Sequence, residues 1–165
     1  MSKTNSEGPV NVPAHELYGN KVRARVCGIC SSAEGLLLVN HFGLYGHDFW
    51  APPGGGMEFG QSAAANLKRE FREETGLEVQ VGKLRFVCEF IQEPLHAIEL
   101  FFGVSQAGGI LKSGHDPEMS SQIIKEVRFV SWKDLELLPG HHLHGALAHA
   151  RTRHKIESLE GYLRI

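Results

Sequence analysis

The sequence predicts an α/β fold in which a mixed β-sheet lies between helices. Several segments alternate apolar and polar residues or are rich in β-branched residues, as strands are. Two other segments, residues 62–75 and 142–159, have the apolar spacing of helices. The chain has 165 residues, of which 42% are hydrophobic, enough for one domain with a real core. Strands combined with two main helices are typical of a sheet that is covered by helices.

The composition predicts a single domain, residues 21–165, preceded by a flexible arm, residues 1–20. The arm is polar and lacks the apolar core of a signal peptide. The net charge of -2 argues against a nucleic-acid partner and against attraction to anionic membranes. No apolar run approaches the roughly 20 residues that span a bilayer. The three cysteines are too few, and odd in number, for a disulfide scaffold, so we expect a cytoplasmic protein.

The domain begins with two predicted strands that we expect to pair as a hairpin. Residues 21–30 alternate, and residues 36–40 form a continuous apolar run of the kind found in strands buried on both faces. Residues 31–35 are a predicted turn between them, and residues 41–48 a loop. Two prolines in residues 49–53 then stiffen the approach to a run of glycines.

Cys27 and Cys30 form a C-x-x-C pair, which allows two interpretations. Such a pair can bind a metal or do redox chemistry, but four thiolate ligands would need a second pair, which the sequence lacks. Residues three apart in a strand also point to opposite faces. We therefore interpret both cysteines as small apolar residues of the first strand.

Residues 62–75 are predicted to form the first main helix. Ser62 is a plausible N-cap, and Gly76 is a suitable residue to end the helix. The apolar stripe that we expect to face the core consists of Ala64, Leu67 and Phe71.

The second half of the chain is predicted to alternate strands, loops and short helices. Pro94 separates two of the strands. The predicted strands are residues 77–81, 84–93, 96–104 and 126–131; the loop is residues 112–121; the helices are residues 132–138 and 142–159, the latter burying Leu143, Leu147, Ala150 and Ile156.

The first main helix follows the glycine run Gly54-Gly55-Gly56 and carries three carboxylates. Glu70, Glu73 and Glu74 have the spacing i, i+3 and i+4, which places them on one side of a helix. Three like charges together are unfavourable unless a cation joins them, and hard divalent cations prefer carboxylate oxygen. The alternative is a solvated charged face, with Arg69 and Arg72 as partners of the three glutamates.

The stretch from Gly55 to Leu77 resembles the Nudix hydrolase family. That family carries the pattern G-x5-E-x7-R-E-U-x-E-E-x-G-U, where U is a bulky apolar residue. The fixed positions that match are Gly55, Arg69, Glu70, Phe71, Glu73, Glu74, Gly76 and Leu77; Gln61 stands where the family has glutamate. The similar order of strands and helices extends over residues 21–138, and it implies a Nudix-type α/β/α sandwich.

The resemblance implies a role for each residue of the stretch. Glu70, Glu73 and Glu74 would bind Mg2+, or alternatively Mn2+, while Glu70 could instead position or deprotonate the attacking water. Arg69 would orient the carboxylates through an ion pair, and the carbonyl of Gly54 or Gly55 would be a further ligand. An acid from outside the stretch often joins such a site; the candidates are Glu126, preferred because it opens a strand, and Glu118.

The implied function is metal-dependent hydrolysis of a diphosphate bond in a nucleoside diphosphate derivative, either a sugar nucleotide or a nucleoside triphosphate. Because Gln61 is neutral, the alternative is a catalytically impaired Nudix module that binds a nucleotide without hydrolysing it. Glu58 could supply a substitute charge near Gln61. The expected partner is the small-molecule substrate, and family members often form homodimers.

Two further groups of residues can be interpreted either as structural or as functional. Four aromatic residues near the predicted cleft could stack on a base, although each is more often a core residue: Phe42, Tyr45, Trp50 and Phe90. Five C-terminal histidines invite a metal interpretation, but no acidic ligand follows at a matching interval, and we interpret them as a helix end at the surface: His141, His142, His144, His149 and His154.

Overall fold

A computed structural model describes residues 14–42, 46–115 and 123–165 of the chain. Within them the strands and helices follow in a mixed order that agrees with the predicted α/β class. The strands are β1 (Lys21–Ile29), β2 (Gly35–His41), β3 (Trp50–Ala51), β4 (Gly54–Gly56), β5 (Leu77–Gln92), β6 (Leu95–Gly109), β7 (Ile124–Ser131) and β8 (Gly161–Arg164); the α-helices are α1 (Ala14–Tyr18), α2 (Ala63–Thr75), α3 (Trp132–Leu137), α4 (Gly145–Ala148) and α5 (Arg153–Glu157), with a 3-10 turn at Gly140–His142.

The described strands form two sheets. The larger has the order β4-β1-β6-β5-β8, and the smaller has the order β3-β2-β7. In the larger sheet β1 runs parallel to β6 and β5 parallel to β8, whereas β1 with β4 and β5 with β6 are antiparallel. The prediction of a mixed sheet is confirmed.

The predicted hairpin between the first two strands is wrong. β1 and β2 belong to different sheets, and just after β1 the chain forms an isolated antiparallel bridge between Ser31 and Leu36. A strand has two edges, and those of β1 are occupied by β4 and β6. β2 pairs with β3 and β7 instead.

The longest described strands are β5, which joins two predicted strands, and β6, which extends beyond its predicted bounds. Residues 77–81 and 84–93, predicted as separate strands, are one strand whose register shifts between Val81 and Leu84. Such a shift bends a strand without ending its pairing. Pro94 separates β5 from β6, as predicted.

Two apolar cores lie on opposite faces of the larger sheet. On one face Val26 and Cys30 pack with Leu67 and Phe71 of α2, whereas Cys27 lies in the other core. The second core includes Leu135 of α3, Leu147 of α4 and Ile156 of α5. Helices therefore cover both faces, and the two cysteines point to opposite sides, as their spacing predicts.

Helix α2 begins and ends as predicted. The side chain of Ser62 accepts a hydrogen bond from the backbone N–H of Ala65, and Gly76 ends the helix with a left-handed φ of 71°. Leu67 and Phe71 are buried, but the prediction for Ala64 is wrong, because that residue is exposed. The buried side of α2 lies further round the helix than predicted and includes polar residues.

The predicted helix over residues 142–159 is wrong. Its segment contains two short helices that have their own caps: His144 caps α4 and Thr152 caps α5. Side chains that accept backbone N–H groups begin new helices, so they divide the segment. The predicted buried residues, Leu143, Leu147, Ala150 and Ile156, are nevertheless all buried.

Both ends of the described chain contain structure that the sequence did not indicate. Strand β8 adds an edge to the larger sheet, next to β5. Helix α1 lies within residues 1–20, the predicted flexible arm. None of the described helices is long and apolar enough to cross a membrane.

Candidate active site

The glycine strand β4 lies directly against the carboxylates of α2. The backbone N–H of Gly54 donates a hydrogen bond of 2.9 Å to Glu74 Oε2. A Cβ atom on Gly55 would lie 2.5 Å from Oε1 of Glu70, so only glycine lets the strand approach this closely. Because hydrogen bonds to charged groups contribute about 1.5–3 kcal/mol, the Gly54 contact helps to offset the burial of Glu74.

The three predicted carboxylates differ in exposure. Glu70 and Glu74 are each only 2% exposed, whereas the side chain of Glu73 is 29% exposed. Burying an ionised carboxylate is costly unless charges or hydrogen bonds compensate it. The alternative of a solvated charged face is therefore wrong for Glu70 and Glu74.

Arg69 joins the carboxylates of this region. Its guanidinium lies 2.8 Å from Glu70 Oε1 and 2.8 Å from Glu73 Oε2. A third contact, of 3.3 Å, reaches Glu58 Oε1 in the preceding loop. Burial lowers the pKa of Arg69, but the three carboxylates outweigh this effect and raise it above its usual value.

Gln61 lies beside this group and contacts a carboxylate through its amide. Its Nε2 donates a hydrogen bond of 2.6 Å to Glu58 Oε2, and the other oxygen of Glu58 faces Arg69. The backbone N–H of Glu58 donates in turn to Asn66 Oδ1, at 3.0 Å. Gln61 thus orients Glu58, whose negatively charged carboxylate lies beside the Arg69 guanidinium.

The donors at this site suit a hard divalent cation. Glu70, Glu73 and Glu74 offer carboxylate oxygens, and the strand beside them offers backbone carbonyls; oxygen donors of this kind are those that Mg2+ and Ca2+ prefer. Among the described residues, however, no group of three or more His, Cys, Asp or Glu side chains is already arranged around one point. Arg69 occupies oxygens of Glu70 and Glu73 instead.

The candidate acids from outside the stretch have different positions. Glu126 lies on β7, opposite Asn40, and its Oε1 is 3.0 Å from Nε of Arg128. Its side chain is half-exposed, unlike those of Glu70 and Glu74. Glu118 lies outside the described residues.

The candidate stacking residues also differ from one another. Trp50 is buried, and the guanidinium of Arg128 lies 5.0 Å from the centre of its ring. Phe42 is exposed, with Lys125 Nζ 4.9 Å from its ring centre. Phe90 is half-buried on β5, and Tyr45 lies outside the described residues.

Sequence reasoning missed a buried charge network on the other face of the sheet. Glu99, on β6, is 6% exposed, and its Oε2 lies 2.7 Å from Nε2 of His144. Its Oε1 lies 3.3 Å from Nε of Arg25 on β1. Burial raises the pKa of Glu99, but the effects of His144, Arg25 and Arg23 prevail and lower it to about 2.

The network also affects a neighbouring histidine. Burial and the charge of Arg25 lower the pKa of His41 to about 4. One signal of the network was present in the sequence: Glu99 is the only charged residue within the apolar run of residues 97–104.

The family model of the NUDIX domain matches residues 19–150. The chain belongs to this family. The match begins close to the start of the predicted domain at residue 21 and includes both the glycine strand and α2. No curated protein matches the chain significantly.

Solved structures with the same fold are numerous. A Nudix hydrolase from Nitrosomonas europaea is 19% identical and superposes with a TM-score of 0.67 over 87% of this chain and 78% of its own. A UDP-X diphosphatase is 24% identical, with a TM-score of 0.60 over 87% of this chain and 67% of its own.

An ADP-ribose pyrophosphatase from Streptococcus suis is 20% identical, with a TM-score of 0.55 over 86% of this chain and 98% of its own. These likenesses confirm the predicted Nudix-type fold. Together with the family, they are consistent with the predicted Nudix pyrophosphohydrolase.

Proposed function

We propose that this Nudix protein is a divalent-metal-dependent hydrolase that cleaves a diphosphate bond in a nucleoside diphosphate derivative. The observation that carries the proposal is the contact of the glycine strand with two buried carboxylates, Glu70 and Glu74. Buried charge of this kind is costly in a purely structural helix, and it is the charge that a cation-dependent site requires.

In this proposal Glu70, Glu73 and Glu74 hold Mg2+, with Mn2+ as the alternative, and the carbonyl of Gly54 is a further ligand. A bound metal would neutralise phosphate oxygens and make water a better nucleophile. Glu126 is the proposed acid from outside the stretch.

Arg69 has a positioning role in the proposal. Its contacts with Glu58, Glu70 and Glu73 orient these side chains before substrate arrives. The alternative role of Glu70 in the proposal is to position or deprotonate the attacking water.

The substrate class is a sugar nucleotide or a nucleoside triphosphate. Support comes from two relatives with this fold whose names specify nucleoside diphosphate compounds, the UDP-X diphosphatase and the ADP-ribose pyrophosphatase. We further propose that the protein is cytoplasmic; its described cysteines, Cys27, Cys30 and Cys88, are all free thiols. We also propose that the protein forms a homodimer.

The alternative, a module that binds nucleotide without hydrolysing it, depends on Gln61. The contacts of Gln61 argue for activity. Gln61 itself is neutral, but it holds Glu58, and the Glu58 carboxylate supplies the negative charge beside Arg69.

The test is a panel of nucleoside diphosphate derivatives and triphosphates incubated with Mg2+ or with EDTA, with phosphate release measured after a coupled phosphatase. Metal-dependent release that is lost in Glu74→Gln, but kept in the control Glu34→Gln at an exposed turn, supports the proposal. Nucleotide binding without release would support the binding module. Equal activity of Glu74→Gln and the original protein would refute the assigned site.

A further inference from the structure

The guanidinium of Arg69 is held by two carboxylates that are themselves proposed metal ligands. Its Nη2 lies 2.8 Å from Glu70 Oε1, and its Nη1 lies 2.8 Å from Glu73 Oε2. One oxygen of each glutamate is thus engaged by a cationic side chain. A second cation on the same carboxylates would be repelled by the guanidinium, since like charges a few ångströms apart interact unfavourably. Arg69 is therefore a competitor of a metal ion as well as a partner of the glutamates.

The arrangement of the carboxylates agrees with this competition. Within the described part of the chain, no three carboxylate, imidazole or thiolate side chains are arranged around one point. Glu70 and Glu73 are arranged around the guanidinium instead. Binding of one ion by both carboxylates therefore requires Arg69 to give up these two contacts.

The present position of Arg69 leaves one of its donors unused. Its Nε is buried, and it has no hydrogen-bond partner among the described residues. A buried donor without a partner is unfavourable, so the contacts with the two glutamates have a cost for the guanidinium. The Arg69 side chain is 23% exposed, which leaves it a path towards solvent.

Glu58 differs from the other two partners of Arg69 because it is not a proposed metal ligand. Its Oε1 lies 3.3 Å from Nη2 of Arg69, and its side chain is 54% exposed. It belongs to the loop between β4 and α2, whereas the other two carboxylates belong to α2 itself. A cation on the α2 carboxylates therefore leaves the contact between Glu58 and Arg69 available.

Glu58 is held in place by contacts that do not involve Arg69. Gln61 Nε2 donates a hydrogen bond of 2.6 Å to Glu58 Oε2, and the backbone N–H of Glu58 donates one of 3.0 Å to Asn66 Oδ1. Asn66 is fully buried, and its Nδ2 donates to the carbonyl of Gly56 at 3.0 Å. The loop and α2 thus fix Glu58 whether or not Arg69 keeps its other contacts.

We propose that Arg69 releases Glu70 and Glu73 when a divalent cation binds them and remains on Glu58, which is the positioning residue for Arg69 in the metal-bound protein. The inference rests on the proposed function, because it assumes that the α2 carboxylates bind a metal. Gln61 has a part in it, since its amide can donate to Glu58 and an ionised glutamate at that position cannot. The released guanidinium thus stays paired.

The first test is titration of the whole protein with Mn2+ in the absence of substrate, with the free ion followed by electron paramagnetic resonance. Arg69→Met removes the competitor, and we expect Mn2+ to bind at least about fivefold more tightly, the factor that an ion pair in contact with solvent can contribute. Arg69→Gln must show the same tightening. Arg72→Met removes the same charge from an exposed position of α2, and this matched control should change the affinity far less.

The second test is a double-mutant cycle of Glu58 and Arg69 with the same measurement. Glu58→Gln should weaken Mn2+ binding by about 10–100-fold when Arg69 is present, the range for an outer partner of a metal site. In the Arg69→Met background the same change should cost much less, because no guanidinium remains to be held. A general loss of negative charge would instead act equally in both backgrounds.

Tighter binding in Arg69→Met, together with a loss in Glu58→Gln that depends on Arg69, supports the inference. Weaker or unchanged binding in Arg69→Met, or equal losses for Glu58→Gln in both backgrounds, would overturn it and leave the proposed hydrolase function intact. Absence of Mn2+ binding by the original protein would overturn both. Circular dichroism without metal checks that each variant is folded.

Discussion

Two buried carboxylates of this protein, Glu99 and Glu70, have opposite surroundings. Glu99 is 6% exposed and is held by Arg25 of β1 and by His144, cations or donors from two distant parts of the chain. Glu70 is 2% exposed and shares one guanidinium, that of its neighbour Arg69, with two other carboxylates. On its other side lies a glycine strand.

The difference shows how burial alone fails to identify a functional carboxylate. Around Glu99 the partners match the charge, which is the arrangement of a structural ion pair. At Glu70 three carboxylates share the guanidinium of Arg69, and the backbone of Gly55 lies against the Glu70 carboxylate. Several carboxylates that share one guanidinium, next to backbone without a side chain, are an arrangement that a cation and a phosphate substrate could use.

Replacing Glu70 should have the largest effect on activity. Glu70→Gln keeps the shape of the side chain but removes its charge, and we expect kcat to fall by about 10²–10⁴-fold, the range for a residue that transfers a proton. The same change at Glu99 should reduce kcat far less. Steady-state kinetics of both variants test this contrast, and similar losses in both would contradict it.

Replacing Glu99 should instead affect stability most. Glu99→Gln leaves Arg25 without its counter-charge and His144 without its carboxylate partner, and removing one partner of a buried pair costs about 3–5 kcal/mol. Because the side chain of Arg25 is 31% exposed, solvent screens part of this cost, and we expect the lower end of the range. Urea denaturation at neutral pH measures the free energy of unfolding.

The contribution of Glu99 should also depend on pH. The folded-state pKa is lowered to about 2 from an ordinary value of 4.5, so the stabilisation is present above about pH 4.5 and is lost as the pH falls towards 2. The difference in unfolding free energy between the original protein and Glu99→Gln should shrink over that window. A difference that stays constant from neutral pH to pH 2 would show that the carboxylate charge is not its origin.

Gly55→Ala should displace the Glu70 carboxylate, because it adds a side chain to the strand that lies against it. Its Cβ would lie 2.5 Å from the Glu70 carboxylate, so the strand or the side chain must shift, at a cost of about 1–3 kcal/mol. We expect both lower thermal stability and lower activity. Gly103→Ala is the control, because the nearest atom to its Cβ would be 3.8 Å away, an ordinary contact. Equal melting temperatures of the two variants would argue against the close approach.

The smallest effect is expected at Gln61. Gln61→Glu replaces an amide that donates to Glu58 at 2.6 Å by a second carboxylate, which repels Glu58 but also adds charge near Arg69. These effects oppose each other, and we expect kcat to change by less than about tenfold, or 1.4 kcal/mol. A gain of several orders of magnitude would instead favour the impaired binding module.

The sequence predicted the local features of the site well. Ser62 and Gly76 end α2 as expected, because a cap depends on residues only a few positions away. The exposure of Ala64 was predicted wrongly, since the buried side of α2 includes Asn66, Glu70 and Glu74, which periodicity of apolar residues does not indicate.

Features that depend on distant parts of the chain were not predicted. The pairing of β1 with β6 and the contact of Glu99 with His144 each need tertiary information. Periodicity reports which face of a segment is buried, and Leu143 and Ile156 were correctly placed by it, but it does not report which segment covers that face.

The parallel pairing of β1 with β6 has a consequence for the order of folding. Lys21 pairs with Leu95, so β1, together with the glycine strand β4 that pairs with it at the edge of the larger sheet, can be placed only after much of the chain has assembled. The antiparallel β5 and β6 are adjacent in sequence and close a far shorter loop, which is faster. Pulse-labelled hydrogen exchange should therefore protect Val87 and Leu100 before Val26; simultaneous protection of all three would contradict this order.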